Sequence, residues 1–237
     1  MMAVPNLPWL TWAQMVEVDR LMIEEWHISL AQMMENAGRN LAQLTRRLLA
    51  GTVAGKRVIV LSGAGNNGGG GMVAARHLHN WGAQVGVTLV GSAERLTGVP
   101  AQQYHIIHKM GLLANNPDLQ AADMIIDAII GYGLRGAPRP PASDWITRAN
   151  HSRAPILALD NPSGLDATTG VPYDPCMRAA ATLTLALPKQ GLRAPEAVPY
   201  VGALYLADIS VPPEVYAAPS LGLTVASPFG TAAIIQL

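Results

Sequence analysis

Four short stretches hold most of the residues able to do chemistry. "GAGNNGGGG" spans Gly63 to Gly71, Asp127 runs into "GYGLRGAPR", "DNPSGLD" spans Asp160 to Asp166, and "PKQGL" carries Lys189. Each follows an apolar run that reads as a strand. Asp160 ends "ILALD", so its carboxylate stands on a rigid strand end, well placed for general acid/base work. Pro162 fixes the chain behind it, Ser163 offers a hydroxyl and Gly164 permits an unusual turn. An Asp bonding its own turn would explain Asp160 alone, but not the matching polar loops at the neighbouring strand ends. Asp166 and Thr169 read as turn residues. Asn66 and Asn67 each carry an amide acceptor and donors, which suits a hydrated ligand or a hard cation. The plainer alternative is a tight turn in which the asparagines only tolerate positive φ. Oxygens from Asn67, Asp127 and Ser163 would together favour a hard cation. There is no Cys/His cluster for zinc.

Other nucleophile and anion chemistries fare less well. Ser163 lies in N-P-S-G rather than G-x-S-x-G, so it is no hydrolase nucleophile. His77, His79, His105 and His108 fall on helices and read as surface or helix-edge residues. The glycines of "GYGLRG" allow backbone amides to face an anion as a nest, with Arg135 and Arg139 adding charge. Two solvated arginines on a loop are the alternative. "GAGNNG" is a literal G-x-G-x-x-G, but a dinucleotide fingerprint also expects an acid at the end of the second strand. Here that strand runs into "TLVGSAER", and Glu94 comes several residues late. Ordinary hydride transfer is therefore disfavoured.

The elements that must position these groups are legible. Thr11 caps a first helix with Gln14 completing a capping box, and Met15, Val18, Leu21 and Met22 recur at helical spacing. A second helix starts near Ser29 and carries Leu30, Met33, Met34, Ala37, Leu41, Leu44 and Leu48, with Ala37 and Gly38 permitting close packing. Strands then alternate with helices: "RVIVLS", "QVGVTLV", "ADMIIDAII", "PILALD", "AATLTLAL" and "GALYLADI". The glycine run reads as a turn ahead of a helix. Pro100 sits near the start of the next helix and Gly111 stops it, and Ser143 caps a short one. The pattern predicts an α/β fold: a doubly wound, mostly parallel sheet with helices on both faces, preceded by two N-terminal helices. In such a sheet, ligands bind beyond the carboxyl ends of the strands, where all four loops open. The last stretch, from "AAPSLGLTV", reads as an irregular arm.

Bulk properties narrow the partners. At 237 residues, with no repeat or linker, the chain reads as a single domain over 1–237. Sixteen basic and sixteen acidic side chains give zero net charge, so no sequence-wide field favours nucleic acid. Cys176 stands alone, which excludes an intrachain disulfide and fits a reducing compartment. No run approaches a membrane span, and the N-terminus lacks a signal-peptide pattern, so the expected location is cytoplasmic.

The motifs "MENAGR", "GNNGGGG", "DAIIGYGL", "DNPSGLD" followed by "TG", and "PKQGL" occur in this order. With them, most of the chain resembles the YjeF N-terminal domain family, the NAD(P)HX epimerases. The resemblance implies epimerisation at C6 of hydrated NADH or NADPH, as metabolite repair. It places substrate against Asn66, Asn67, Gly68, Gly69 and Gly70, against Gly131, Tyr132, Gly133, Leu134, Arg135, Gly136 and Ala137, and against Asp160. Asp160 would be the acid/base. Asn67, Asp127 and Ser163 would hold a potassium ion. It further implies a homodimer and a dehydratase partner, sometimes fused; the neutral charge and the lack of a membrane span argue for no nucleic acid and no membrane partner. Lys189 would tune the acid or bind a phosphate. The departure is Gly70, where the family pattern has Asp. Its absence implies a looser loop and weaker substrate binding. A catalytically impaired binding or dimer-scaffold module on the same fold is the alternative function.

Overall fold

The computed structural model describes residues 7–226 and 228–237. Helix α1 covers Trp12–Arg20 and continues as a π turn, Leu21–Glu25. Its capping box forms as expected: the Gln14 N–H donates to Thr11 Oγ1 (3.2 Å), and the Thr11 N–H donates to Gln14 Oε1 (2.9 Å). Ser29 and Gln32 repeat the device at the start of α2, Leu30–Leu48. Each cap is worth about 0.5–2 kcal/mol. The buried stripe Met33, Met34, Ala37, Leu41 and Leu44 follows the helical period.

Seven strands form one sheet: β1 Arg57–Ser62, β2 Gln84–Leu89, β3 Met124–Ala128, β4 Ile156–Leu159, β5 Ala181–Leu185, β6 Ala203–Ala207 and β7 Ile234–Gln236. Their order is β2-β1-β3-β4-β5-β6-β7, parallel except for β7 against β6. Strand residues alternate between faces. Val58, Val60, Ile126 and Leu159 pack with α2 and with α3, Asn66–Asn80. Ile59, Leu61 and Ile125 pack with Ile146 and Ala149 of α5, Ala142–Asn150. Helix α4, Gly98–Lys109, adds Ile107 to the first face. The doubly wound expectation therefore holds. Chain order reverses between β1 and β3, which opens a crevice beyond their carboxyl ends. Among the described residues, no helix is long and apolar enough to cross a membrane.

Three expectations need correction. The tail is not wholly irregular: after the short helices α6, Val198–Val201, and α7, Pro213–Tyr216, it closes the sheet as β7. Ser143 does not cap α5; the cap position is Pro141. The glycine run is not a turn ahead of a helix. Helix α3 starts at Asn66, with Gly65 at its cap, so all four glycines lie inside it.

Close packing explains why glycines open that helix despite their poor propensity. A Cβ at Gly71 would lie 2.5 Å from Ala128 Cβ, and one at Gly69 would lie 2.6 Å from the Met34 sulfur. One at Gly68 would overlap the Gly63 carbonyl oxygen. From α2, a Cβ at Gly38 would run into Val73 and lie 2.7 Å from the Gly70 oxygen. The exception is Gly70, whose Cβ would meet only Leu159 Cδ2, at 2.9 Å. That neighbour is the far end of a flexible side chain. Position 70 lies beyond the first helical turn, and α3 forms without an acid there, so Asp would not cap the helix or order the loop.

Gly70→Asp and Gly38→Val should therefore part company. The first needs only Leu159 to turn, and its melting temperature should stay within a few degrees of wild type. The second drives a branched side chain into Val73, and overpacking should cost about 1–3 kcal/mol in urea unfolding. Equal losses would contradict this packing.

Candidate active site

Asp160 follows β4 directly, and its backbone is unusual. Its φ is +67°, and the Asn161 N–H donates to the Leu159 carbonyl (2.8 Å), so Asp160 is the centre of a γ-turn. The positive-φ γ-turn is rare and strained, and Asp tolerates it better than most residues. The Asp160 N–H still reaches the Leu183 carbonyl of β5 (2.7 Å). The strand thus stays paired up to the residue whose direction it reverses.

Both carboxylate oxygens of Asp160 are engaged. Lys189 Nζ donates to Oδ1 at 2.5 Å, and the Tyr132 N–H donates to Oδ2 at 3.0 Å. Lys189 is fully buried and also donates to Thr184 Oγ1 (3.2 Å) and the Leu185 carbonyl (2.8 Å). All three ammonium protons therefore have acceptors. Lys189 is thus the countercharge of Asp160. It is not a phosphate ligand, because no donor is left over.

Beneath this pair sits a second carboxylate. Asp127, the fourth residue of β3, is fully buried. Its Oδ2 accepts the Ser163 N–H (2.8 Å), and its Oδ1 accepts the Ser163 hydroxyl (2.6 Å) and the Ile129 N–H (3.2 Å). Burial pushes its pKa up to about 6, against the pull of these hydrogen bonds. Ser163 Oγ accepts the Ile130 N–H (2.9 Å), which rules it further out as a nucleophile. With Ile130 and Tyr132 amides donating to side chains, the start of "GYGLRG" is no open anion nest.

A cavity of about 490 Å³ lies above these groups. Of the residues picked from sequence, Asn66, Asn67, Gly70, Gly131, Tyr132, Gly133, Arg135, Asp160 and Lys189 border it. Gly68, Gly69, Leu134, Gly136 and Ala137 do not, and Asp127 and Ser163 lie outside its lining. Gly131 forms a tight floor, since a Cβ there would sit 3.0 Å from Asn67 Oδ1 and 3.1 Å from Asp160 Oδ2. The first-turn amides of α3 lack helical acceptors and suit a phosphate. Arg135 stacks over Trp12, with its guanidinium carbon 4.9 Å from a ring centroid. Asp166 behaves as the expected turn residue, accepting the Thr168 and Thr169 N–H groups. His77 is a part-buried residue in the last turn of α3, where it bonds Glu35 (2.8 Å), which also pairs with Arg76 (2.5 Å).

Sequence reasoning missed the opposite wall. Trp12, Met15, Val16 and Asp19 of α1 border the cavity, as do Met33, Met34 and Ala37 of α2. The Leu10 N–H donates to the Pro188 carbonyl and the Gln190 N–H to the Leu10 carbonyl, so this wall is tied to the segment that carries Lys189. The Met-rich stripe was the available signal, but it reads equally as ordinary core.

Lys189→Met should leave Asp160 buried without its cation and cost about 3–5 kcal/mol. Asp160→Asn/Lys189→Met should recover most of that stability. A double variant as unstable as the sum of its singles would show the two residues to be uncoupled.

Comparison with known proteins agrees with this layout. Residues 30–191 match the family described as YjeF-related protein N-terminus. The chain is 42% identical to an NAD(P)H-hydrate epimerase of Dehalogenimonas lykanthroporepellens, over 94% of this chain and 90% of the relative. It is 38% identical to a bifunctional NAD(P)H-hydrate repair enzyme of Moorella thermoacetica, over 87% of this chain but only 41% of that longer protein. The crystal structure of yeast ynu0 superposes with a TM-score of 0.83 at 26% identity, covering 98% of this chain and 100% of that one. The chain belongs to the YjeF N-terminal domain family.

Proposed function

We propose that this chain is an NAD(P)H-hydrate epimerase, an isomerase that interconverts the two C6 epimers of hydrated NADH or NADPH. The observation that carries the reading is the buried Asp160–Lys189 pair, which borders a nucleotide-sized cavity at the topological switch point. Relatives at 33–42% identity carry the epimerase name. In the substrate, C6 bears a hydroxyl beside ring nitrogen N1. The N1 lone pair expels the hydroxyl once it is protonated and leaves an iminium cation. Water then adds to C6 from the other face, loses a proton, and returns the lone pair to N1. Asp160 is placed to exchange that proton and to stabilise the cation by its charge. Lys189 and the Tyr132 N–H hold the carboxylate still while it does so. A dehydratase, separate or fused, would consume the product.

The residues also fit a potassium ion. Asp127 is a buried carboxylate that neutral donors alone do not fully compensate. Asn67 Oδ1 faces the Leu159 carbonyl oxygen, while its nitrogen faces the Gly131 N–H. Turning the amide over gives two hydrogen bonds of 3.3 Å, to the Leu159 carbonyl and from the Gly131 N–H; unturned, a cation would satisfy the two oxygens but leave the Gly131 N–H against the amide nitrogen. Asn67, Asp127 and Ser163 would hold the ion, which would supply a fixed positive charge at the strand ends.

Asp160→Asn should lower epimer interconversion by about 10²–10⁴, followed chromatographically from one pure epimer. The stability-restored Asp160→Asn/Lys189→Met should stay equally inactive. Binding without turnover by the wild type would instead mark a binding module on this fold.

Potassium should raise the melting temperature of the wild type, by about 2.7 kcal/mol of stability at 100 times its Kd. A raised carboxylate pKa costs nothing below about pH 4 and its full penalty above pH 6. The potassium increment should therefore be larger at pH 7.5 than at pH 5 and vanish in Asp127→Asn. An increment that persists in that variant would remove Asp127 from the ion site.

A further inference from the structure

Asp19 lies on α1, outside the matched family region, and borders the same cavity as Asp160. One tyrosine joins the two. The Tyr132 N–H donates to Asp160 Oδ2, and the Tyr132 hydroxyl donates to Asp19 Oδ2. The carboxylates therefore stand at opposite ends of a single residue, one at its backbone N–H and one at its hydroxyl. Lys189 Nζ sits 5.8 Å from the centroid of its ring.

Among the described residues, Tyr132 is the one hydrogen-bond partner of the Asp19 carboxylate. The adjacent Arg20 is occupied by Glu17, Glu24 and Glu25. Asp19 has no ion pair among the described residues, and burial pushes its pKa up while the Tyr132 hydrogen bond pulls it down. Its position is also fixed. The Trp12 N–H donates to Thr168 Oγ1 (2.8 Å), and Leu10 forms a parallel bridge with Lys189. The helix that carries Asp19 is thereby fastened to the strand ends that carry Asp160.

Epimerisation sets a stereochemical demand. The oxygen leaves one face of the ring and returns to the other. A carboxylate beside one face reaches only the hydroxyl on that face, unless the ring turns over in the cavity. We propose that Asp19, supported by Tyr132, is a second acid/base of the reaction and serves the ring face that Asp160 does not. This rests on the epimerase reading given above. In one direction, protonated Asp19 gives its proton to the C6 hydroxyl. The C6–O bond breaks as the N1 lone pair forms the iminium, and water departs. A water on the Asp160 face adds to C6, Asp160 takes its proton, and N1 recovers its lone pair. In the reverse direction the two acids exchange roles. One proton is given and one taken, with no net redox change.

The test follows each pure epimer of hydrated NADH in ¹⁸O-labelled water. Asp19→Asn keeps an acceptor for Tyr132 and should fold, as checked by circular dichroism. It should slow interconversion by about 10²-fold or more. One epimer, with its hydroxyl on the Asp160 face, should still exchange ¹⁸O with retention, while the other should not. Asp160→Asn should show the mirror pattern. Tyr132→Phe, which removes one hydroxyl, should bias exchange in the same sense as Asp19→Asn. Interconversion by Asp19→Asn at the wild-type rate would overturn the proposal, as would equal loss of exchange from both epimers in the folded variant. A wild type that interconverts neither epimer would instead overturn the epimerase reading itself.

Discussion

The buried ion pair between Asp160 and Lys189 is the constraint on which the rest of the structure depends. Two charges removed from water cost several kcal/mol each unless geometry repays them. The protein repays them by using all three ammonium protons and engaging both carboxylate oxygens: Thr184 and Leu185 complete the lysine, and the Tyr132 amide holds the second oxygen of the aspartate. That requirement fixes the relation of β4, β5 and the loop after β3. It also explains the γ-turn, since a regular strand end would not turn Asp160 at positive φ toward the lysine. Strain in one residue is offset by a fully satisfied pair.

The second constraint is the approach of α3 to the sheet. Gly68, Gly69 and Gly71 in its first two turns are glycines because β3, α2 and the end of β1 leave no room there for side chains. Close approach brings Asn66, Asn67 and Gly70 to the edge of the cavity. The N-terminal helices then cover the crevice and are fastened to it through Leu10 and Lys189. Sheet, glycine helix and cover are thus three consequences of enclosing one polar cluster in a mostly apolar cavity.

Much of this was legible in the sequence, and the exceptions have physical causes. Strand identity follows from short apolar runs, and both N-terminal helices from their capping residues and period. Asp127, Asp160 and Ser163 were found because they sit at strand ends, where a parallel sheet gathers its chemistry. Lys189 was located but its role was not, because whether an ammonium meets a phosphate or a carboxylate depends on contacts between segments 29 residues apart. The glycine run was misread because propensity opposes a helix there, and tertiary packing overrode it. Asp19 was invisible because a single acid on an amphipathic helix looks like a solvated face. Only the fold of α1 over the strand ends brings it to Tyr132. β7 was missed because a three-residue edge strand carries too little pattern to read.

The most direct test of the account is the position of a bound nicotinamide nucleotide, determined crystallographically with this chain. The account predicts the dinucleotide in the cavity between α1 and the strand ends, its phosphates at the start of α3. The nicotinamide ring should lie over Gly131, with C6 within hydrogen-bonding reach of Asp160 through the C6 oxygen or one water. A ring bound elsewhere, with Asp160 facing only protein, would contradict it.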